Sequence, residues 1–302
     1  MTAKRFVALI VNPFASGVDD ERVREVERAL GERARVTTLR TRGREHATEL
    51  AREASTRRDD AIVVFAGDGG YNEVLNGLDG ATPVGFIPGG GSSVLPRALG
   101  LPRDHVAAAR TLAASIAAGR TKRISLGRVN GRRFGFSAGI GLDAELVRRV
   151  DALGRPADGR RPGDAAFLRE LAALIRERRG RLRPALEVAG VGRAAFAVVV
   201  NGNPYTYLGP LPVRVAPAAR FELGLDLVAP VDIRARDLAR LLGNALLGRD
   251  QTGSANILHR HDVERIEVFC DAPTPLQADG EDLGDVESAV FEAERGAVSV
   301  LV

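Results

Sequence analysis

Three short turns in this chain combine glycine with small polar groups: Asn12-Pro13-Phe14-Ala15-Ser16-Gly17, Gly67-Asp68-Gly69-Gly70 and Pro88-Gly89-Gly90-Gly91-Ser92-Ser93. Glycine carries no Cβ, so such a backbone can turn sharply and bring its N–H groups close to an anion. Asp68 would project from its turn, and the helical pattern of Tyr71 to Leu78 follows it, so this segment joins a strand to a helix N-terminus, a place suited to phosphate. The third turn repeats the arrangement, with hydroxyls at Ser92 and Ser93 ahead of a helix carrying Arg97. Two phosphate-suited loops on one sheet edge suggest a polyphosphate ligand; plain turn chemistry is the alternative that these residues leave open.

Competing motifs are weaker. No GxxxxGK[ST] segment occurs. Gly139, Gly141 and Ala144 satisfy the GxGxx[GA] dinucleotide pattern, but the acidic residue expected about 20 positions later would fall among Arg160, Arg161 and Pro162, so the pattern reads as a decoy. Asp279-Gly280 is by residue type a type I′ hairpin turn. His259 and His261 share a strand face with Arg260 between them and no cysteine near, which does not make a metal site. Cys270 is the only cysteine, so an intrachain disulfide and a thiolate zinc centre are both excluded.

The elements that would hold these turns follow from periodicity. Phe6 to Val11, Ala61 to Ala66 and Val84 to Ile87 are continuous apolar runs, as expected of strands buried on both faces of a parallel sheet, with a shorter strand at Val36 to Leu39. Helical spacing at Val23, Val26, Ala29 and Leu30, and over Glu45 to Arg57, alternates with them, which predicts an α/β layer with the three turns at the carboxyl ends of its strands. Beyond Thr121 the pattern becomes mainly strand. Ile124–Asn130, Arg132–Ser137, Leu186–Val191, Arg193–Val200, Val213–Ala216, Gly224–Val231 and the C-terminal runs are predicted strands, and two amphipathic helices, Ala165–Arg179 and Ile233–Leu247, interrupt them. A boundary near Thr121 divides the chain into 1–121 and 122–302. The Arg/Gly/Pro-rich segment from Gly154 to Asp164 is predicted to be a loop.

Composition sets outer limits. The 302 residues suffice for one large or two ordinary domains, and 45% hydrophobic with 27% charged residues is a globular balance. The net charge of +4 is too small to argue for nucleic acid and is compatible with an anionic small molecule or membrane surface. With 5% aromatics and no tryptophan, base-stacking platforms are not expected. No apolar run approaches a bilayer-spanning length, and the solitary cysteine suits a cytoplasmic setting.

In order along the chain, Asn12-Pro13 with Ser16-Gly17, GDGGYNEVLNGL from Gly67, PGGGSSVLPRALGLP from Pro88, FGFSAGIGLDAELV from Phe134 and Asp279-Gly280-Glu281 resemble the diacylglycerol kinase catalytic-domain family. That family includes bacterial lipid kinases and the sphingosine and ceramide kinases, and is related to NAD kinases. The resemblance implies an NAD-kinase-like α/β nucleotide-binding domain, then a β-rich antiparallel sandwich or barrel domain, with the active site in the cleft between. It implies transfer of the γ-phosphoryl group of ATP, with Mg2+, to a lipid hydroxyl, diacylglycerol first, with a sphingoid base, a soluble acceptor or a non-catalytic nucleotide-binding regulator as alternatives. The lipid would be met by a cytoplasmic protein, peripheral to the inner face of a membrane; a homodimer is compatible with this.

On the same resemblance, Asn12, Pro13, Ser16, Gly17, Gly67, Gly69, Gly70, Gly89, Gly90, Gly91, Ser92, Ser93 and Arg97 would hold the nucleotide. Asn72 and Glu73 would be nucleotide contacts as well, and with Asn76 would brace the loop. Asp279 would be the general base, Asp68 its rival, and Glu281 a nucleotide or metal contact, with Asp68 and Glu281 as the candidate Mg2+ ligands. The chain departs from the family pattern in two motifs. Ala66 replaces a glycine and Gly70 a threonine of GGDGT, and GTGND becomes Gly91, Ser92, Ser93 and Val94, which lose its amide and its carboxylate.

Overall fold

A computed structural model describes residues 5–154 and 162–302, so most of the predicted loop at 154–164 lies outside the described residues. The chain divides into two compact units, each described by itself. The first holds residues up to Ile124 together with Gly296–Val302, and the second holds the rest of the described residues from Ser125 to Arg295. The sequence places the boundary at 121/122, which falls at the start of the strand Thr121–Val129, and the final residues rejoin the first unit by a pairing that no local pattern announces.

The first unit alternates strand and helix: β1 (Arg5–Val11), α1 (Asp20–Gly31), β2 (Ala34–Arg40), α2 (His46–Arg57), β3 (Ala61–Ala66), α3 (Asp68–Gly77), β4 (Val84–Pro88), α4 (Val94–Ala98) and α5 (His105–Ala118), before β5 (Thr121–Val129) leaves it. The four strands β1 to β4 pair in parallel in the order β2-β1-β3-β4. Every residue of β3 is buried, the physical reason its run shows no alternation. Alternate residues of β1, namely Val7, Leu9 and Val11, join Val63, Phe65 and Ile87 in one core with Val23, Val26 and Leu30 of α1 and Leu112 and Ile116 of α5. Asp19 caps α1 by accepting from Arg22 N at 2.8 Å, and Asp104 caps α5 by accepting from Ala107 N at 2.7 Å. In the order 2-1-3-4 the chain leaves β1 toward one side and resumes on the other, so the crevice expected of an open α/β sheet lies at the carboxyl ends of β1 and β3.

The second unit is built on antiparallel strands, as expected. It continues with β6 (Arg132–Phe134), β7 (Ser137–Ile140), α6 (Leu142–Ala152), α7 (Asp164–Glu177), β8 (Arg181–Leu182), β9 (Leu186–Val188), β10 (Gly192–Ala194), β11 (Ala197–Val200), β12 (Thr206–Leu208), β13 (Leu211–Val213), β14 (Leu225–Pro230), β15 (Ile233–Arg234), α8 (Ala235–Leu246), β16 (Ile257–Val263), β17 (Arg265–Ala278) and β18 (Glu281–Leu301). Its main path runs β16-β14-β11-β7-β17-β18. Strand β17 is interrupted by register shifts beyond Phe269 and Pro275, which lets it pair with β9 near Val268 and with β7 near Gln277. Asn130 and Gly131 both take positive φ (45° and 89°) and close the β5–β6 hairpin, the turn their types predict. The continuous run predicted for Arg132–Ser137 breaks between β6 and β7, where the backbone amides of Gly135 and Phe136 turn to a side chain instead of a strand partner.

The start of β1 is tied down by Asp60, whose carboxylate accepts from Phe6 N at 2.8 Å and from the Arg5 guanidinium at 3.0 Å. The Phe6 amide is the largest influence on this carboxyl, burial opposes it, and Arg5 adds to it, so that the carboxyl is held below the usual carboxylate range. A depressed pKa gives stability that is present above about pH 4 and is lost as pH falls through the folded-state value. Asp60→Asn, which keeps an acceptor for Phe6 N, should therefore cost about 0.5–1 kcal/mol near pH 7 after allowing for solvent screening, and close to nothing near pH 2–3. Urea unfolding of both proteins at the two pH values checks this; an equal difference at both pH values would refute it.

Candidate active site

The three glycine-rich turns meet on one edge of the first unit. Asn12 N donates to Phe65 O at 3.0 Å, Gly89 N to Ala66 O at 2.8 Å and Gly17 N to Gly89 O at 2.8 Å, so main-chain bonds continue the sheet through all three loops. The backbones approach so closely that a Cβ at Gly17 would sit 2.9 Å from Gly89 O, and one at Gly90 would sit 2.8 Å from Gly67 Cα. Glycine at these positions is a packing requirement before it is a ligand-binding one.

The sequence reading placed Asp68, Gly69 and Gly70 in a loop before a helix. In the structure they are its first turn: Gly67 is the N-cap and α3 begins at Asp68. The residue that could initiate the helix carries no side chain, so the first amides keep no side-chain cap from it, and these are the donors that an anion meets at a helix N-terminus. Asp68 Oδ1 accepts from Val94 N at 2.7 Å and ties this turn to the start of α4. Ser93, with φ 43°, is buried; its Oγ accepts from Gly90 N at 3.2 Å and donates to Gly90 O at 3.0 Å, closing the third turn on itself. Ser92 and Gly91 are exposed, and Arg97 Nη1 donates to Ser92 O at 3.1 Å, which brings the guanidinium back to that turn. Tyr71 is buried beneath, donating to Ile87 O at 2.8 Å; burial first, and the charge of Asp68 next, push its hydroxyl above the usual tyrosine range, so it serves as a neutral donor.

Other expected contacts point elsewhere. Asn72 is fully buried, with its carbonyl and Oδ1 receiving the Asn76 amide at 2.9 and 3.3 Å. Glu73 Oε2 accepts from Ala47 N at 3.1 Å and so satisfies a first-turn amide of α2. These two brace the site from behind, which corrects their assignment as nucleotide contacts. Asn12 is half-buried; its Oδ1 accepts from Phe14 N at 3.0 Å, and this shapes the turn in which Pro13 sits and Ser16 is exposed.

Asp279 and Glu281 belong to the second unit. Ala278 pairs with Glu281, and Asp279 and Gly280 between them have φ 49° and 79°, so the hairpin reading of this segment holds. The side chain does more than turn the chain. Only 3% exposed, it accepts from Gly135 N at 2.6 Å, Phe136 N at 3.0 Å and Ser137 N at 3.2 Å, wrapped by the amides of the β6–β7 break. Glu281 opens β18 and is half-buried.

A residue that sequence reasoning passed over is Asp143, in the first turn of α6. It is enclosed with Tyr205 and Gln277, and burial raises its carboxyl above the usual range. The available signal was the Gly-Leu-Asp sequence after β7. In the GxGxx[GA] decoy, Gly139 and Gly141 do flank a strand-to-helix turn, but β7 pairs antiparallel with β11 and β17, which is not a βαβ dinucleotide site. His261 Nδ1 lies 2.9 Å from both oxygens of the buried Asp226, and among the described residues no group of three His, Cys, Asp or Glu side chains could hold a metal ion.

Comparison with known proteins agrees with this architecture. Residues 6–129 match the family described as "Diacylglycerol kinase catalytic domain". A Streptococcus pneumoniae serotype 4 protein named "Putative lipid kinase" is 32% identical over 151 residues, 47% of this chain and 49% of that protein. The "Diacylglycerol kinase" of Bacillus subtilis is 41% identical over 107 residues, 34% of each chain. The alignments thus span about half and about a third of these relatives. A crystal structure described as "a putative diacylglycerol kinase from Bacillus anthracis str. Sterne" superposes with a TM-score of 0.77 over 100% of this chain and 98% of that one, at 23% identity, which shows a shared fold. Residues 6–129 thus resemble the diacylglycerol kinase catalytic domain, and the whole chain shares its fold with that Bacillus anthracis structure.

The geometry explains two departures from the family pattern together. A Cβ at Gly70 would lie 2.6 Å from the Cβ of Ala66, so the methyl gained at 66 occupies the space a side chain at 70 needs. Gly70→Thr alone should destabilise by about 1–3 kcal/mol through overpacking, and most of that loss should disappear in the Ala66→Gly background. Denaturant unfolding of the two single variants and the double variant measures the coupling; strictly additive effects would show that the two positions are independent.

Proposed function

We propose that this protein is an ATP-dependent lipid kinase that transfers the γ-phosphoryl group to a lipid hydroxyl, most simply the free hydroxyl of diacylglycerol to give phosphatidic acid. The observation that carries the reading is the bonding of three glycine-rich turns to one another and to the N-terminus of α3 at the carboxyl edge of a parallel sheet. That arrangement suits a triphosphate, since it offers amides and a helix N-terminus where negative charge must be offset, with Arg97 beside them. In the transfer, the acceptor oxygen bonds to the γ-phosphorus as the bond to the β,γ-bridging oxygen breaks and ADP departs; Asp279 accepts the hydroxyl proton.

Mg2+ fits such a site when one carboxylate and the substrate's phosphate oxygens complete its shell with water, and Asp68 is the carboxylate on the first unit's loop cluster that would hold it. The bound ion would neutralise charge on the β- and γ-phosphates. A lipid acceptor implies a visit to a membrane surface. No helix among the described residues is long and apolar enough to cross a membrane.

Incubating the full chain with labelled ATP, Mg2+ and separate micelles of diacylglycerol or a sphingoid base, alongside a soluble acceptor such as NAD, tests the reading. Label is expected in phosphatidic acid. Nucleotide binding with no transfer to any acceptor would mean a non-catalytic regulator, and label in a soluble product would mean a different substrate class. Asp279→Asn should lower turnover about 10²–10⁴-fold at unchanged nucleotide affinity. A near-normal rate in that variant would move the base role to Asp68.

A further inference from the structure

Asp143 is the first-turn acid of α6, and nothing in the transfer chemistry above requires it. Both of its oxygens are used. Oδ1 accepts the Tyr205 hydroxyl, and Oδ2 accepts Gln277 Nε2 at 2.7 Å. The carboxyl is packed so tightly against β7 that a Cβ at Gly139 would fall 1.8 Å from Oδ2. Among the described residues no cation pairs with it, and burial raises its pKa while the two donors only partly oppose that effect. An apolar group of the same volume would avoid this desolvation cost, so a role in stability alone does not account for the arrangement.

The arrangement leads to the catalytic hairpin. Gln277 is 1% exposed, and while its Nε2 faces Asp143 its Oε1 accepts from Gly280 N at 2.8 Å. A carboxamide has one donating and one accepting end, and each end here meets a partner of fixed polarity. Asp143, offering only acceptors to Gln277, thereby decides which way round the amide lies. The correct orientation gives Gly280 N an acceptor; the reversed one would set two donors against each other. Gly280 is the second corner residue of the turn, and Asp279, the first, holds a left-handed φ that a residue with a Cβ adopts only when its surroundings support it.

We propose that Asp143 is a positioning residue for Asp279: through the orientation of the Gln277 amide it holds the Asp279-Gly280 turn in register with the amides of Gly135, Phe136 and Ser137. The proposal rests on the reading of Asp279 as the base. It adds a second tier to the site, Tyr205 to Asp143 to Gln277 to Gly280, all within one compact unit, in which only the last link adjoins the reacting carboxylate.

The polarity argument provides its own test. Asp143→Asn can present either its nitrogen or, with the Tyr205 hydroxyl turned to accept, its oxygen to Gln277, so it no longer fixes which way the amide lies, and Gln277→Glu puts an acceptor against Asp143. Combined, D143N/Q277E reverses the direction of the one shared hydrogen bond while leaving acceptors for Tyr205 and for Gly280 N. Turnover of Mg-ATP with a short-chain diacylglycerol in mixed micelles should fall about 10²-fold in each single variant with KM for ATP unchanged, and most of it should return in the double variant. Amide hydrogen exchange at Gly280 should quicken in each single variant and slow again in the double one. A double variant no faster than the single ones, or an Asp143→Asn enzyme that turns over normally while Asp279→Asn does not, overturns the proposal alone. Normal turnover in Asp279→Asn overturns the base reading and the proposal with it.

Discussion

Main-chain bonding between loops is the constraint on which the first unit depends. A single carbonyl, that of Ala66 at the end of β3, receives Gly89 N, and Gly89 O in turn receives Gly17 N. Because the strands are parallel, their carboxyl ends lie on one edge, and the turns that leave them compete for the same small volume. The competition is resolved by removing side chains. Gly67 and Gly90 touch backbone to backbone, and Gly17 lies against Gly89, so the three loops pack together more closely than side chains would allow. The features that suit the edge to a polyphosphate are thus a by-product of how closely parallel strand ends can be packed.

The second unit meets a related problem by other means. Where β6 gives way to β7, three consecutive amides lose strand partners, and an unpaired buried amide is costly. Asp279 supplies acceptors for all three from a hairpin corner on β17 and β18. One carboxylate therefore closes a break in the sheet and stands where the family resemblance sets a catalytic base. The two roles are compatible, because a base must be held still before it can be aimed.

Charge is distributed accordingly. Many of the exposed arginines of the second unit are in surface ion pairs, such as Arg148 with Asp282 and Arg193 with Asp271, which contribute little singly and leave the fold to its apolar cores. The basic end of α7, which by sequence could have met anionic headgroups, sends Arg178 to Glu145, and Arg181 beyond it pairs with Asp232. The acids of the interior behave differently. Asp226 and Asp279, which are buried, and Asp143, which is half-buried with both oxygens bonded, each accept from hydrogen-bond donors and fix the path of the backbone or a neighbouring side chain.

Local pattern was enough for much of this. The unbroken apolar runs of β1, β3 and β4 identified buried parallel strands, the glycine-polar turns after them marked the edge where a ligand would gather, and Asn130-Gly131 and Asp279-Gly280 declared their hairpins, because each of these features depends on residues adjacent in sequence. Three things did not. The GDGG segment became the first turn of a helix instead of a loop, since its cap is a glycine and nothing local marks the start. Asn72 and Glu73 turned inward to partners on neighbouring turns and on α2. The chain Tyr205–Asp143–Gln277–Gly280 joins positions up to 137 apart in sequence, and only the packing of β7, α6 and β17 against one another brings a donor to each acceptor. Spacing along a chain encodes period and turn; which buried polar group meets which is decided by tertiary contact, since the energy of that meeting exists only once water has been excluded from both.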